Sequence, residues 1–228
     1  MSLALALSRQ GLKVALELKA PPSKAASDVR AYALNARSVE LLKTLKVWDA
    51  LSADARTAVH DMRIEGDQPG SHLGFSSFEQ GVEALAWIAD AAALETVLAH
   101  AVQFAPHVSL VDRTVPAALL AVADGRDSQS REALGVRNEV HPYGHSGVAA
   151  RLVADRPHSG VARQWFRSPD ILALLPFDRP QVDCSYGLVW SLPQSEAQRW
   201  LAGSPEEFEA GLMAATGGEA GQLRLAGE

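Results

Sequence analysis

The stretch MSLALALSRQGLKVALEL, residues 1–18, decides the class of fold. Its small apolar residues predict a helix over Ser2–Gln10, which ends at Gly11, a residue suited to the left-handed position after a helix. The LKVALEL that follows, residues 12–18, predicts a buried strand. A helix, a glycine and a strand form the second half of a βαβ unit. The stretch therefore predicts an α/β domain.

Neither a membrane span nor a secretory signal peptide accounts for this apolar start. The run Leu3–Leu7 is far shorter than the ~20 apolar residues of a membrane span. Neither Lys nor Arg precedes it, as a signal peptide would require. The single cysteine, Cys184, excludes an internal disulfide and predicts a cytoplasmic protein. A net charge of −6 argues against nucleic acid as a partner.

The rest of the chain has a helical first part and a strand-rich second part. Helices are predicted over Ala36–Leu51, capped by Asn35, and after Asp90, because apolar residues recur there every three or four positions. PPSKAASD, residues 21–28, predicts a loop, and HDMRIEGD and HLGFSSF predict a hairpin around a PGS turn. From Val148 onward, short apolar runs between turn residues predict a mostly antiparallel sheet. SPEEFEAGLMAATGG predicts a last helix that opens with a capping box.

Two apolar runs in the middle of the chain raise a problem of spacing. VSLV, Val108–Val111, and ALLAV, Ala118–Val122, are both strand candidates. The short connection between them cannot join parallel neighbours, which need about a dozen residues or more. The two strands are therefore antiparallel, or not adjacent, or one of them is not a strand.

Two further stretches resemble a known enzyme family. DVRAYALNARSVELLKTLKVWDAL, residues 28–51, contains a D-x-R-A-x-A-L pattern and the helix that follows it. VADGRDSQSREALGV, residues 122–136, contains an A-D-G-x-x-S-x-x-R pattern, and ARQWFRSPDILALLPF and LVWSLP look like substrate-domain strands. In order and spacing, residues 2–203 resemble the flavin-dependent aromatic hydroxylases, above all the ubiquinone-biosynthesis hydroxylases.

The resemblance implies an α/β fold in which an incomplete FAD-binding Rossmann-like domain is combined with a mostly antiparallel β-sheet substrate domain. It assigns residues 1–58 and 89–136 to the partial FAD-binding domain, 59–88 and 137–193 to the substrate-domain sheet, and 194–228 to a C-terminal helical segment. The implied activity is that of an FAD- and NAD(P)H-dependent monooxygenase, an oxidoreductase that hydroxylates an aromatic ring, such as a quinone precursor. No side chain is predicted to act as a general base, because the flavin carries the chemistry.

Four residues are predicted to bind the cofactor. Arg30, just before a helix, offers a cation to the FAD pyrophosphate, unless it is an ordinary solvated loop residue. Asp124 can accept hydrogen bonds from ribitol or ribose hydroxyls and Gly125 allows a close approach, unless the pair is only a turn. Glu17 stands one residue before Leu18, where the family's ribose-binding acid is expected, and such an offset changes the face of a strand.

Two other patterns are not assigned a function. His141 and His145 stand four residues apart, but Pro and Gly between them oppose a helix, and no further ligand has the right spacing. No metal is therefore predicted. GHSGV differs from a nucleophile elbow at Val148, so Ser146 is not predicted to be a nucleophile.

Departures from the family pattern leave the activity open. The family's G-x-G-x-x-G would end before the first residue, and its second Gly-Asp motif would follow the last residues LRLAGE, so the chain is expected to be truncated at both ends. We expect weak or absent FAD binding, an exposed apolar patch and a tendency to associate into a homo-oligomer. The alternative to a monooxygenase is a catalytically inert relative, a binding or accessory protein for a small aromatic or quinone-like molecule. Peripheral membrane contact stays open.

Overall fold

The structure, a computed structural model, describes residues 1–18 and 28–226. Within these residues the chain forms three sheets of two, three and seven strands. The predicted loop 21–28 lies outside the described residues except for Asp28. The longest described helix has 13 residues, and no helix in the described part is long and apolar enough to cross a membrane.

The first layer combines three helices with a parallel strand pair. Its elements are α1 Ser2–Arg9, β1 Val14–Glu17, α2 Ala36–Thr44, α3 Ala91–Gln103 and β7 Val108–Val111. β1 and β7 pair in parallel, with Val14 opposite Val108. Apolar side chains of the three helices share one core with Leu16 of β1. This parallel pair with its helices confirms the α/β class.

A small antiparallel sheet covers part of a larger one. The small sheet has the order β2-β6-β3, with β2 Ala31–Leu34, β6 Ala86–Asp90 and β3 Arg56–Val59. Ile88 of β6 and Val59 of β3 pack against Ala162 and Phe177 of the larger sheet, and all four are buried. The two sheets therefore share a core of their own.

The larger sheet has the order β12-β8-β11-β10-β9-β4-β5 and is antiparallel except for the pair β4–β9. Its strands are β4 Asp61–Glu65, β5 His72–Ser76, β8 His145–Ala154, β9 Val161–Arg167, β10 Asp170–Phe177, β11 Ser185–Pro193 and β12 Leu223–Leu225. Helices α5 Gln194–Ala202 and α6 Pro205–Thr216 contribute to the core on one face of this sheet, where Trp165, Leu174 and Trp190 are buried. This sheet confirms the predicted mostly antiparallel architecture.

Local signals in the sequence are confirmed at several helix ends. Gly11 has a φ of 75° just after α1, and Asn35 accepts a hydrogen bond from the backbone N–H of Ser38 at 2.9 Å. Asp90 caps α3 in the same way, and α6 begins with the predicted capping box. The predicted hairpin is the antiparallel pair β4–β5.

Two predicted elements differ from the structure. The helix predicted over 36–51 ends at Thr44, because Lys46 adopts a positive φ of 62° that breaks the helix; a 3-10 turn follows at Trp48–Ala50. Ala118–Val122 forms no strand, and Leu119 is 82% exposed there. The spacing problem is thus solved by the third alternative, since only VSLV is a strand. The short helix α4, Gln129–Ala133, follows this segment. The division of the chain into cofactor and substrate segments stays a prediction.

Candidate functional site

The four predicted cofactor residues lie in three separate surroundings. Glu17 ends β1, on the strand face opposite Leu16, which packs against the helices. Its Oε2 accepts a hydrogen bond from Thr114 Oγ1 at 2.8 Å. Because β1 and β7 are parallel, Glu17 stands at the edge of the pair where both strands have their carboxyl ends. In α/β sheets this is the edge at which ligands bind.

Arg30 is held by two carboxylates and directly precedes β2 rather than a helix. Its Nε and Nη2 donate to the two oxygens of Asp28 at 2.8 and 2.7 Å, and Nη2 lies 3.4 Å from Glu95 Oε1. The hydrogen bond to Asp28 raises the pKa of Arg30 and lowers that of Asp28. The side chain of Arg30 is still 57% exposed. One positive group beside two negative groups has a net charge of −1, which weakens attraction for a pyrophosphate.

Asp124 organises the start of α4. Its carboxylate accepts hydrogen bonds from Ser128 Oγ and, at 3.3 Å, from the backbone N–H of Ser130. Ser128 in turn caps α4 by accepting from the N–H of Arg131 at 3.0 Å. The bond from Ser128 is the main reason why the pKa of Asp124 falls to about 2, so the carboxylate is ionised at neutral pH. These contacts support the turn-forming role that the sequence left as an alternative.

Gly125 belongs to the same turn and has a φ of 91°, which favours glycine. A Cβ at this position would have no heavy atom within 4 Å, so the backbone is approachable. Asp124, Gly125, Arg131 and Leu134 line an open cavity of about 410 Å³. Asp124 follows an irregular segment rather than the strand that the sequence predicted.

A buried charge cluster joins the two antiparallel sheets. Arg151 of β8 donates from Nη2 to the carbonyl of Arg30 at 2.8 Å and to Asp90 Oδ2 at 3.3 Å. Its guanidinium lies 3.9 Å from the centre of the Phe177 ring. Burial lowers the pKa of Arg151. The sequence motifs did not point to Arg151, although it is a charged residue inside the apolar run VAARLV.

One group of three side chains has the composition of a metal site. His158, Asp178 and Asp183 offer ligand atoms within 4.8 Å of one another. However, the N–H of Gly160 donates to His158 Nδ1 at 3.0 Å, which places the ring proton on Nε2, 3.3 Å from Asp178 Oδ1. Thr57 donates to the other oxygen of Asp178 at 2.7 Å. These hydrogen bonds make His158 and Asp178 a polar link between the two sheets, while Asp183 is exposed beside them.

The face of the seven-stranded sheet that lies opposite α5 and α6 is only partly covered. The small sheet packs on the end that carries Ala162 and Phe177. Beyond it, Phe166, Ile171 and Val189 are 40%, 37% and 44% exposed. Phe166 and Ile171 are direct cross-strand neighbours. We call this uncovered part of the sheet, centred on these three residues, the open face.

Comparison with known proteins relates the chain to quinone hydroxylases. No protein-family model matches it. It is 35% identical over 104 residues to the mitochondrial ubiquinone biosynthesis monooxygenase of Rattus norvegicus, in an alignment that covers 45% of this chain and 21% of that protein. It is 25% identical over 251 residues to the ubiquinone hydroxylase UbiL of Rhodospirillum rubrum, covering 99% of this chain and 57% of UbiL. In sequence, this chain is similar to the ubiquinone hydroxylases. It spans about half the length of the relatives that match it from end to end.

Solved structures show a similar fold. PqsL of Pseudomonas aeruginosa, a probable FAD-dependent monooxygenase, superposes with a TM-score of 0.69 over 99% of this chain and 69% of its own, at 17% identity. A second structure of PqsL, in complex with 2-aminobenzoylacetate, has a TM-score of 0.70. The fold is therefore that of the flavoprotein monooxygenases.

Proposed function

We propose that the chain belongs to an FAD- and NAD(P)H-dependent monooxygenase that hydroxylates an aromatic ring of a quinone precursor. The observation that carries this proposal is the open face, an exposed apolar sheet surface in a chain homologous to the ubiquinone hydroxylases along nearly its whole length. A planar ring laid on Phe166, Ile171 and Val189 would remove their side chains from water. The open face would thus hold and orient the ring.

The cofactor residues fit FAD in different degrees. Glu17, at the carboxyl end of a parallel strand, suits a ribose hydroxyl, and Gly125 leaves its backbone open to a close approach. Arg30 would have to share its guanidinium between Asp28 and a phosphate. Asp124, already ionised, can accept hydrogen bonds from cofactor hydroxyls. FAD, when bound, would supply the activation of molecular oxygen with NAD(P)H as the reductant.

The chain's own residues would then contribute binding rather than acid–base chemistry. The open face would orient the ring and exclude water from one side of it. Arg30, Glu17 and the Asp124–Gly125 turn would hold polar parts of the cofactor. Because Arg30 is shared with two carboxylates, we expect FAD binding to be weak, of about millimolar affinity.

A flavin titration tests the proposal. The fluorescence of FAD is followed as protein is added, for the wild type, for Arg30→Ala and for the control Arg224→Ala, an exposed residue of β12. We expect saturable binding that Arg30→Ala weakens about tenfold, since a charge-assisted hydrogen bond is lost, whereas Arg224→Ala leaves it unchanged. Oxygen uptake that depends on NADH and on an added phenol completes the test. Absence of both saturable binding and uptake would refute the proposal.

The second candidate is an inert relative that binds the aromatic molecule without turning it over. The specific observation that favours it is the pairing of Arg30 with both Asp28 and Glu95, which reduces the charge available to a cofactor. This candidate predicts that phenols bind to the protein while FAD shows no saturable binding. The flavin titration, together with a binding titration of the same phenol, therefore separates the two functions.

A further inference from the structure

One polar side chain lies in the middle of an apolar row across the seven-stranded sheet. On β9, Gln164 is directly opposite Ala173 of β10 and Ile64 of β4. Ala173 is opposite Val189 of β11, and Ile64 is opposite Leu73 of β5. Side chains directly opposite one another lie on the same face of a sheet. Ala149 of β8, opposite Val189, extends the row. Gln164 is therefore the polar member of a row whose five other members are apolar.

Gln164 lies at the border of the open face. Two residues before Gln164 on the same strand, Ala162 is buried beneath the small sheet at 4% exposure. Two residues after it, Phe166 belongs to the open face. Every second residue of a strand lies on the same face of the sheet. Gln164 therefore lies between the part of this face that the small sheet covers and the open face. Its intermediate burial agrees with this position.

The side-chain amide of Gln164 makes no hydrogen bond to any of the described residues 1–18 and 28–226. Because Gln164 is only partly buried, its amide can bond to water. A ring laid on the open face would displace that water, and burying an amide without a partner is unfavourable. A ligand that carries an oxygen at this point avoids the cost. The apolar neighbours Ala173 and Ile64 cannot supply a substitute partner.

We propose that Gln164 is a specificity-determining residue that selects neutral, oxygen-substituted rings on the open face. This inference rests on the proposed function, since it concerns the same ring site. The amide both donates and accepts, so it matches a hydroxyl beside a methoxy or carbonyl oxygen. The cation of this sheet face, Arg151, is buried at 9% exposure, and its charge is already paired with Asp90, so it does not favour a carboxylate on the ring.

The test compares two ring probes of similar shape, 2-methoxyphenol and 1-ethyl-2-methylbenzene, the second of which has no oxygen. Dissociation constants are measured by ligand-observed NMR titration for the wild type, for Gln164→Leu and for Gln198→Leu, a control at an exposed position on α5. We expect Gln164→Leu to shift the ratio of the two constants about tenfold toward the hydrocarbon, through loss of a hydrogen bond and gain of an apolar surface. Gln198→Leu should leave the ratio unchanged.

Circular dichroism confirms that each variant folds. Should Gln164→Leu fail to fold, Gln164→Ala removes the amide without adding a hydrogen-bonding group and is judged by the same ratio. An unchanged ratio overturns the role of Gln164, while the flavin titration and oxygen uptake still decide the proposed function. If the wild type binds neither probe at millimolar concentration, the open face is not a ring site, and the inference fails with it.

Discussion

Arg151 provides the sharpest test of how the two antiparallel sheets are joined. Methionine has a similar length but no charge, so Arg151→Met removes the donor to the Arg30 carbonyl and to Asp90 and the cation beside Phe177. The Arg30 carbonyl keeps one hydrogen bond, from the N–H of Ala91 at 3.2 Å. The substitution therefore removes one polar link between the sheets without leaving this carbonyl unpaired.

The expected loss of stability depends on the contacts that Asp90 retains in the Arg151→Met variant. Removing one partner of a buried ion pair costs about 3–5 kcal/mol when the other charge is left uncompensated. Asp90 still accepts from the N–H of Ala93 at 2.8 Å and lies 4.0 Å from Arg179 Nη1. In addition, Arg151 Nη1 is buried without a hydrogen-bond partner among the described residues, so its removal relieves a cost. We expect a net loss of about 2 kcal/mol, or a fall in Tm of about 4–8 °C.

Urea unfolding, followed by tryptophan fluorescence and far-UV circular dichroism, measures this loss. The control is Arg224→Met, at an exposed position. Asp90→Asn retains a good helix cap and removes the charge, so a double-mutant cycle with Arg151→Met should give a coupling energy of about 1–2 kcal/mol. If Arg151→Met stays within about 0.5 kcal/mol of the control, the cluster does not stabilise the junction and the role assigned to Arg151 is wrong.

Two other substitutions test local features of the structure. Hydrogen bonds from Arg179, at 2.8 and 3.1 Å, lower the pKa of Asp54 to about 2. Because this folded pKa lies below the unfolded value of about 3.9, the pair stabilises the protein above about pH 4 and loses this effect between about pH 4 and 2. Asp54 is about half exposed, so Asp54→Asn should reduce the loss of unfolding free energy between about pH 4 and 2 by at most about 1 kcal/mol. If the variant loses as much unfolding free energy as the wild type in this pH range, the Asp54–Arg179 pair does not stabilise the protein. At Gly211, a Cβ would overlap the ring of Trp200, so Gly211→Ala should lower stability by about 1–3 kcal/mol in thermal melts. Gly74→Ala, with no atom within 4 Å of the added carbon, is the control, and equal melting temperatures for the two variants would show that Trp200 moves aside freely.

The features that the sequence predicts well are those that depend on a few neighbouring residues. The caps Asn35, Asp90 and Ser204 each bond to a backbone N–H three residues further along the chain. Such contacts form wherever the local pattern occurs, because they need no distant partner. The β4–β5 hairpin has a similar basis, since a short turn brings its two strands together.

The features that the sequence misses depend on partners far along the chain. ALLAV is as apolar as a strand, but within the described residues it pairs with no neighbouring strand, and Leu119 stays exposed. Arg151 bonds to Arg30, 121 positions away. Part of the apolar surroundings of Gln164 comes from the register of β9 with β4, about 100 residues earlier in the sequence. Apolar content and spacing along the chain do not encode these pairings.

The junction and the open face can be perturbed independently, because they occupy different parts of one sheet surface. Arg151 bonds to the carbonyl of Arg30, on the side where the small sheet covers the larger one. Gln164 lies beyond the buried Ala162, where the cover ends. A change at Arg151 therefore weakens the attachment of the cover, whereas a change at Gln164 leaves the attachment in place and alters only what the open face can recognise. If Gln164→Leu changes the selectivity for the two ring probes but not the free energy of unfolding, recognition takes place on the open face. A weakened junction between the two sheets would instead change both the selectivity and the free energy of unfolding.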